Sequence, residues 1–230
     1  MAKKKQKVAT SASHASPASH VTSLLSCFSS NFSPPPTPLI PILPSILTLS
    51  KFFSPVECSS LRTFLDSTPL RSTTNARATK ETARRHNDRA QLDAQSVANL
   101  VRDRLRSHAA HSDLLDALNT STVEVPSFEV SPNIRLYRYE PGMQFGPHYD
   151  ESSETSAGRT RWTVLIYFSD VESGGNTNFF PSGDPDETPV SVEPAEGKVL
   201  LHLHGDECML HEGEAVARGT KYVFRTDLCF

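Results

Sequence analysis

The spacing of apolar residues along this chain changes near residue 130, from a helical period to the alternation typical of strands. Before that point, Ser54 and Glu57 can form a capping box around Pro55, which predicts a helix that runs to about Asp66. Its apolar positions form one stripe: Val56, Leu61, Phe64 and Leu65. A second helix is predicted by the same spacing at four later positions: Val97, Leu100, Val101 and Leu105. The polar segment between the two helices, from Ser67 to Arg89, is expected to be a loop.

After residue 130 the chain consists of short runs rich in strand-forming residues, separated by turn residues. In one run, Trp162, Val164, Ile166 and Phe168 share one face, and Thr163, Leu165 and Tyr167 share the other. Two helices followed by about eight short strands is the order expected of a double-stranded β-helix, or jelly roll, with helical supports. We therefore expect a mainly β fold in a domain over 46–230, with N-terminal helical support over 54–106 and a jelly-roll core over 130–230.

The first 45 residues differ in composition from the rest of the chain. Four of the first seven residues are lysines, serine and alanine are frequent, a proline-rich run spans Pro34 to Pro38, and the first acidic residue is Glu57. Such a segment buries too little apolar surface to offset the entropy of ordering it, so we expect a disordered Ser/Pro-rich basic tail over 1–45. The basic start suits a nuclear address, and the acid-free composition suits an organelle transit peptide. An extension without any address is equally compatible with this composition.

Overall composition narrows the class of protein. The chain has 230 residues, of which 37% are hydrophobic, and a net charge of −3 gives no electrostatic case for binding nucleic acid or a membrane surface. The cysteines are too sparse for a disulfide framework: Cys27, Cys58, Cys208 and Cys229. A reducing compartment, cytoplasmic or nuclear, is therefore expected, with organelle import left open. No apolar run approaches 18 residues, so we expect no membrane-spanning helix.

The candidate chemistry centres on His148 and Asp150. Four His-x-Asp sequences occur, and they begin at His86, His111, His148 and His204. Residues i and i+2 can bind one ion from an extended strand, where alternate side chains share a face, but not from a helix. His148 meets this condition best, because it follows a run of strand formers and Pro147 biases its neighbour away from helix. Two histidines and one carboxylate are the protein ligands of a non-haem Fe(II) oxygenase site, and His211 is the candidate second histidine.

Five blocks carry a family resemblance: Tyr139 to Asp150, Trp162 to Asp170, Gly174 to Phe179, Pro194 to Gly197 and His211 to Tyr222. In order and spacing they resemble the prolyl 4-hydroxylase branch of the Fe(II)/2-oxoglutarate dioxygenases. The resemblance implies that the iron ligands are His148, Asp150 and His211. It also implies that Lys221 pairs with the far carboxylate of 2-oxoglutarate, and that Tyr139 and Thr163 add hydroxyl hydrogen bonds to that carboxylate. A buried dicarboxylate needs such a matching charge.

Two assignments have competitors within the chain. Arg225 lies four residues after Lys221, an even step along one strand, and many relatives outside this branch use arginine to bind the carboxylate. His202 and His204 compete with His211 for the place of the third ligand. They lack the glycines and the lysine that the resemblance places after the distal histidine.

The resemblance implies an Fe(II)- and 2-oxoglutarate-dependent dioxygenase that uses O2 and releases succinate and CO2, with ascorbate keeping the iron reduced. A prolyl residue of a protein or peptide is the expected substrate, while a free amino acid or a small metabolite remains open. A demethylase of nucleic-acid bases is disfavoured, because the chain lacks the arginine-rich spacing of those enzymes after the distal histidine. Alternatives of another class are a catalytically inactive jelly-roll scaffold and a cupin-like small-molecule protein. The oligomeric state cannot be deduced from the sequence.

Overall fold

Most of the domain is one antiparallel sheet that folds back on itself. The computed structural model describes residues 16–75, 83–108, 111–118 and 127–230. The helices are α1 (Pro17–Leu25), α2 (Pro55–Ser67), α3 (Gln95–Ser107) and α4 (His111–Leu118), with one 3-10 turn at Gly205–Glu207. No helix among the described residues is long and apolar enough to cross a membrane.

The strands before the metal-binding region are β1 (Ile40–Leu43), β2 (Ile46–Leu49), β3 (Arg71–Asn75), β4 (Arg85–Asp93), β5 (Glu129–Val130) and β6 (Asn133–Tyr139). The next are β7 (Gln144–His148), β8 (Glu154–Thr155), β9 (Gly158–Tyr167), β10 (Ser173–Gly174) and β11 (Thr177–Phe180). The last are β12 (Val190–Val192), β13 (Val199–Leu203), β14 (Leu210–Gly213), β15 (Val216–Arg218) and β16 (Lys221–Cys229). Twelve strands therefore follow residue 128 in the described chain, more than the eight expected, because short edge pairs accompany the main ones.

Strand β4 is where the sheet folds over. The main path runs β1-β2-β13-β9-β16-β6-β4-β7-β14-β11-β12, and β4 pairs with β6 over most of its length but with β7 only at Arg85 and His86. Strands β13, β9, β16, β6 and β4 thus form one layer, and β7, β14, β11 and β12 form the other. The two layers enclose a pocket, which is the jelly-roll arrangement predicted from the sequence.

Strand β9 separates two hydrophobic clusters. Trp162, Val164, Ile166 and Phe168 join the cluster that contains Leu61 and Leu65 of α2 and Val101 and Leu105 of α3. Leu165 and Tyr167 lie on the opposite face, in the cluster inside the roll. The alternation predicted from the sequence is therefore confirmed, and it leaves Thr163 on the inner face.

Both predicted helices are present, with one error in the buried stripe. The capping box of α2 is formed as predicted, since the Ser54 hydroxyl accepts from the Glu57 backbone and the Glu57 carboxylate accepts from the Ser54 backbone. Val56 is 75% exposed, so its assignment to the buried stripe was wrong. It is the second residue of α2, in the first turn.

The expected loop from Ser67 to Arg89 was also wrong in part. Strand β3 and the first half of β4 lie within it and pair with each other, from Arg71 opposite Arg89 to Asn75 opposite Arg85. Their sequences are polar because β3 is a largely exposed strand and because Arg85 and Arg89 of β4 line the inner cavities. The apolar alternation on which strand prediction depends is therefore missing.

The expected disordered tail is wrong from residue 16 onward, while residues 1–15 lie outside the described chain. Helix α1 places Leu24 in the core with no exposed surface, and Phe28 is 8% exposed. The reason is partly polar: the backbone amide of Ser29 donates to Glu57 and its carbonyl accepts from Arg104. A few well-placed apolar groups and these buried charges order a segment whose average composition resembles that of a disordered tail.

Arg104 and Glu57 form the buried ion pair that joins α3, α2 and the N-terminal segment. The atoms Nη2 and Oε1 are 2.5 Å apart, and both side chains are buried. Replacing Arg104 by alanine leaves the Glu57 carboxylate buried with fewer partners, which is expected to lower the free energy of unfolding by about 3–5 kcal/mol. Chemical denaturation measures this directly. Arg102→Ala, which breaks partly exposed pairs with Asp103 and Glu129, is the control and is expected to cost about 0–1 kcal/mol. Equal losses in the two variants would contradict this account.

Candidate metal centre and pocket

The two candidate histidine ligands lie opposite each other on a pair of strands. His148 ends β7, and the register of β7 with β14 sets it directly opposite His211. Asp150 follows two residues later, with its Oδ1 3.6 Å from His148 Nε2 and its Oδ2 3.7 Å from His211 Nε2. One donor atom from each residue lies within 4.8 Å of the others, so the structure brings together the three ligands predicted from the sequence.

Backbone carbonyls determine which ring nitrogen is free in each histidine. His148 Nδ1 lies 3.0 Å from the carbonyl oxygen of Gly146, and His211 Nδ1 lies 2.9 Å from that of Met209. A carbonyl oxygen only accepts hydrogen bonds, so each Nδ1 must carry the proton. Each Nε2 is then left with its lone pair directed at the shared point. This outer support of a ligand histidine is characteristic of metal centres.

The protonation states also suit a divalent cation. Burial lowers the pKa of His211 well below its ordinary value, and the neighbouring imidazoles of His202 and His148 lower it further. Burial raises the pKa of Asp150, but the charge of Arg225 and the hydrogen bond with His148 outweigh that effect, so its pKa lies well below the usual range. A neutral imidazole and an ionised carboxylate are the forms that bind metal, so the donor set fits Fe(II).

Arg225 is engaged at the metal end of the pocket. Its Nη2 lies 2.8 Å from Asp150 Oδ2 and 3.7 Å from Asp227 Oδ1. The guanidinium therefore neutralises the carboxylate that is also a candidate metal ligand. This competitor of Lys221 already has carboxylate partners within the protein.

Lys221 lies at the end of the pocket away from the candidate metal ligands, and it has no carboxylate in contact among the described residues. Its side chain is buried, and Nζ lies 5.3 Å from the ring centre of Tyr167 and 5.8 Å from that of Tyr139. Among the described residues, no carboxylate lies within 4.0 Å of Nζ. Burial lowers the pKa of Lys221 to about 7, although the more distant carboxylate of Glu214 raises it. A buried ammonium without a carboxylate is costly, so this position favours an anionic ligand.

Thr163 is placed differently from the expectation. It registers with Asp227 on β16, six residues from Lys221, or about 20 Å along the strand. Its hydroxyl donates to Asp150 Oδ2 at 2.9 Å and lies 3.0 Å from His204 Nδ1. The assignment of Thr163 to the far carboxylate is therefore corrected, since Thr163 contacts the carboxylate of the candidate ligand Asp150 instead. Family position alone did not reveal which end of the strand faces the metal.

Tyr139 remains beside Lys221, and sequence reasoning missed a second tyrosine there. The hydroxyl of Tyr139 accepts a hydrogen bond from the Asn87 amide at 3.0 Å. The hydroxyl of Tyr167 lies 2.7 Å from that of Thr177. Tyr167 shares its strand face with Thr163, so the alternation of β9 already carried the signal that could have found it.

His202 is a third imidazole at the metal end. Its side chain is 2% exposed, its Nε2 lies 3.7 Å from Asp150 Oδ2, and that Nε2 has no hydrogen-bond partner. Burial lowers its pKa to about 4, so the ring is neutral. His204, the other competitor, lies between the hydroxyls of Thr163 and Thr160. The structure therefore brings His202 next to the predicted triad, while His204 supports Thr163.

A single pocket joins the two ends. The metal-end residues that line it are His148, Asp150, Thr163, His202, His211 and Arg225, and the far-end residues are Tyr139, Thr177 and Lys221. Apolar side chains of Tyr137, Phe145, Leu165 and Val223 lie between them. A pocket of this kind, with charged groups at both ends and apolar walls, suits a short dianion that reaches from a metal to a cation.

Comparison with known proteins agrees with this geometry. Residues 134–226 match the family model described as the 2OG-Fe(II) oxygenase superfamily. That range begins on β6 and ends on β16, and it includes the three ligand candidates and Lys221. This part of the chain therefore resembles a 2OG-Fe(II) oxygenase domain.

The individual proteins that the chain resembles include plant prolyl 4-hydroxylases. The chain is 32% identical to probable prolyl 4-hydroxylase 10 of Arabidopsis thaliana, over 41% of this chain and 40% of the relative. It is 33% identical to prolyl 4-hydroxylase 1 of the same plant, over 39% and 38% of the two chains. The aligned part thus spans about two fifths of the length of these curated relatives.

Solved structures share the fold at low sequence identity. A viral collagen prolyl hydroxylase from Paramecium bursaria Chlorella virus-1, a complex with 2OG, has a TM-score of 0.53 at 16% identity, over 80% of this chain and 95% of its own. A prolyl hydroxylase from Trichoplax adhaerens, in complex with a hypoxia inducible factor peptide, has a TM-score of 0.54 at 16% identity, over 80% and 83%. An α-ketoglutarate-dependent epimerase of nogalamycin biosynthesis has a TM-score of 0.53 at 16% identity, over 80% and 76%. The fold is therefore shared by proteins with different reactions.

The contact between Thr163 and Asp150 leads to a test of metal binding. Thr163→Val keeps the shape of the side chain but removes a hydrogen bond that orients the carboxylate, so metal affinity is expected to fall by about 10–100-fold. Anaerobic calorimetric titration with Fe(II) or Co(II) gives the affinity. Thr226→Val is the matched control, because that buried hydroxyl on β16 donates to the Ser131 carbonyl instead. If Thr163→Val leaves the metal affinity unchanged but weakens 2-oxoglutarate binding, Thr163 binds the far carboxylate of 2-oxoglutarate, as first expected from the sequence.

Proposed function

We propose that this protein is an Fe(II)- and 2-oxoglutarate-dependent dioxygenase that hydroxylates a prolyl residue of a protein or peptide and releases succinate and CO2. The observation that carries the proposal is the pairing of two features in one pocket. The triad of His148, Asp150 and His211 lies at one end, and a buried lysine without a carboxylate partner among the described residues lies at the other. A metal chelator with a distal carboxylate satisfies both ends.

In this proposal, each residue has a defined task. The two histidines and Asp150 hold Fe(II) from one side and leave the opposite side open to ligands. Lys221 binds the distal carboxylate of 2-oxoglutarate, with the rings of Tyr139 and Tyr167 beside its ammonium group. Arg225 and Thr163 hold the Asp150 carboxylate in place.

The metal, when bound, supplies the oxidising chemistry that couples decarboxylation of 2-oxoglutarate to hydroxylation of a C–H bond. The protein contributes placement and the exclusion of water. Phe145 stacks on the His148 ring with centroids 3.7 Å apart, and Phe179 lies against His211. These apolar walls shield the centre from solvent, which limits side reactions. Ascorbate is proposed as the reductant that restores the ferrous state.

The proposed prolyl substrate is supported by the identity to plant prolyl 4-hydroxylases and by the fold shared with the Trichoplax enzyme, whose structure contains a peptide. The inactive scaffold has less support, because every ligand position and the lysine are present and oriented toward one pocket. We also propose a cytoplasmic or nuclear location, since all four cysteines are free and two of them are buried.

Turnover is the first test of this proposal. With Fe(II), 2-oxoglutarate, O2 and ascorbate, the protein is expected to form succinate and to add the mass of one oxygen atom to a proline-containing peptide. His148→Ala and His211→Ala are expected to abolish both products, because each removes a metal ligand. His20→Ala, a histidine on α1 outside the pocket, is the matched control and should retain full activity. Absence of succinate with every peptide, in protein that binds the metal, would contradict the proposal.

The pKa of Lys221 predicts how co-substrate binding depends on pH. In the ligand-free protein this pKa is about 7, and a bound carboxylate favours the protonated form and raises it. Above pH 7, binding must therefore take up a proton, and the affinity for 2-oxoglutarate is expected to fall by up to about tenfold per pH unit.

Calorimetry of metal-loaded protein, repeated in buffers with different ionisation enthalpies, measures both the affinity and the proton uptake. Lys221→Met is expected to bind 2-oxoglutarate weakly and without this pH dependence. If the affinity is independent of pH in the native protein, or if Arg225→Met rather than Lys221→Met removes the proton uptake, the assignment of the cation is wrong.

A further inference from the structure

A second cavity opens beside the metal end of the pocket, and four arginines line it. Its volume is about 370 Å³, and it shares Arg85, Tyr137, Phe145, Asp150 and Arg225 with the pocket already described. The remaining lining residues are Arg89, Gln91, Asn133, Arg135 and Glu151. We call this cavity the arginine groove. Because it borders the metal ligand Asp150, a molecule that occupies it lies next to the reactive centre.

The strand register explains why these side chains gather. On the inner face, Arg135 of β6 lies opposite Gln91 of β4 on one side and opposite Arg225 of β16 on the other. Arg89 pairs with Tyr137 in the adjacent row of the same face. Arg85 is two strand steps further along, where β4 pairs with Phe145 of β7. Three neighbouring strands thus present guanidinium groups on one wall.

Two of the four guanidinium groups are neutralised within the protein. Arg225 is paired with Asp150, and Arg135 forms an ion pair with Asp227. Within the part of the chain that the structure describes, no carboxylate lies within 4.0 Å of Arg85 or Arg89. Glu151 lies at the rim and is exposed. The groove therefore carries two positive charges that the surrounding protein leaves unmatched.

Arg85 is held in one orientation without an anion. Its guanidinium carbon lies 4.3 Å above the ring centre of Phe145 and 5.2 Å from that of Tyr137. Its Nε is buried and has no hydrogen-bond acceptor. Stacking between two rings restricts the planar group, so little further entropy is lost when it binds a carboxylate. An unsatisfied buried donor is unfavourable, which also favours an acceptor at this position.

We infer that the arginine groove binds a carboxylate of the substrate, and that the substrate is an acidic peptide in which an Asp or Glu side chain lies next to the proline to be hydroxylated. This inference rests on the proposed function and specifies its substrate class. The two carboxylates of 2-oxoglutarate are matched by the metal and by Lys221, so Arg85 and Arg89 are available to a second anion. The same wall already binds the carboxylates of Asp150 and Asp227 through Arg225 and Arg135.

The test uses full-length protein loaded with metal and 2-oxoglutarate, without O2, so that binding is measured apart from turnover. The probes are pairs of proline peptides that differ only in Asp against Asn beside the proline, each with an amidated C-terminus. A third peptide carries phosphoserine in place of Asp, and a fourth keeps Asn but has a free C-terminal carboxylate. N-acetylaspartate amide serves as an acidic probe without proline.

The Asp peptide is expected to bind native protein at least about tenfold more tightly than the Asn peptide, because a hydrogen bond between two charged groups is stronger than one to a neutral amide. Arg89→Gln is expected to reduce this ratio to near one, and Arg89→Lys to keep part of it. Arg89 lines the groove but not the co-substrate pocket, so affinities for metal and 2-oxoglutarate should be unchanged in the variant. Arg218→Gln, at an exposed arginine on β15 that pairs with Glu172 and lines neither cavity, is the matched control and should behave like native protein.

Equal binding of the Asp and Asn peptides to native protein would overturn the inference, as would a ratio that survives Arg89→Gln. If the phosphoserine peptide binds more tightly than the Asp peptide, the assignment of the groove to a carboxylate is wrong. If only the peptide with a free C-terminus binds more tightly through Arg89, the group that the groove binds is a terminal carboxylate and not an Asp or Glu side chain. If N-acetylaspartate amide binds in an Arg89-dependent way while no peptide gains oxygen at proline in the presence of O2, the groove is supported and the prolyl function fails.

Discussion

The buried carboxylate of Asp150 is the group on which the rest of the site depends. It lies within 3.7 Å of the Nε2 atoms of three histidines, at 2.8 Å from Arg225 and at 2.9 Å from Thr163. A buried charge is tolerated only when it is matched, and here strands from both layers of the roll supply the matching groups. The fold of the sheet at β4 therefore also builds the site, because it places β7 and β14 of one layer opposite β9 and β16 of the other.

The positions of the cationic side chains give the two ends of the pocket different roles. Arg225 is bound to Asp150, so its charge is used within the protein, whereas Lys221 is buried among aromatic rings, and no carboxylate of the described residues lies within 4.0 Å of it. Placing the distal carboxylate of 2-oxoglutarate on Lys221 satisfies a charge that folding leaves unmatched. The same reasoning, applied to Arg85 and Arg89, gives the arginine groove its proposed role in substrate binding. In both cases an unmatched buried or half-buried cation indicates where an external anion binds.

Much of this was predictable from the sequence because it depends on local pattern. The capping box of α2 and the alternation of β9 each act within a few residues, and both predictions are confirmed. The His148-x-Asp150 spacing is equally local, and the structure brings the two side chains together. The role of Thr163 and the nearness of His202 depend on strand register between segments that are far apart in sequence. The N-terminal segment was misread for a similar reason, since its order comes from contacts with Glu57 and Arg104, whose positions only the tertiary structure defines.

A crystal structure of the complex with Fe(II) and 2-oxoglutarate, grown without O2, tests the central claim most directly. The account predicts metal bonded to Nε2 of His148, to the Asp150 carboxylate and to Nε2 of His211, with the distal carboxylate of 2-oxoglutarate within hydrogen-bond distance of Lys221 Nζ. The donor atoms of His202, Cys208 and His211 also lie within 4.8 Å of one another. A metal bound by these three residues without Asp150, or a distal carboxylate on Arg225 rather than on Lys221, would contradict the account.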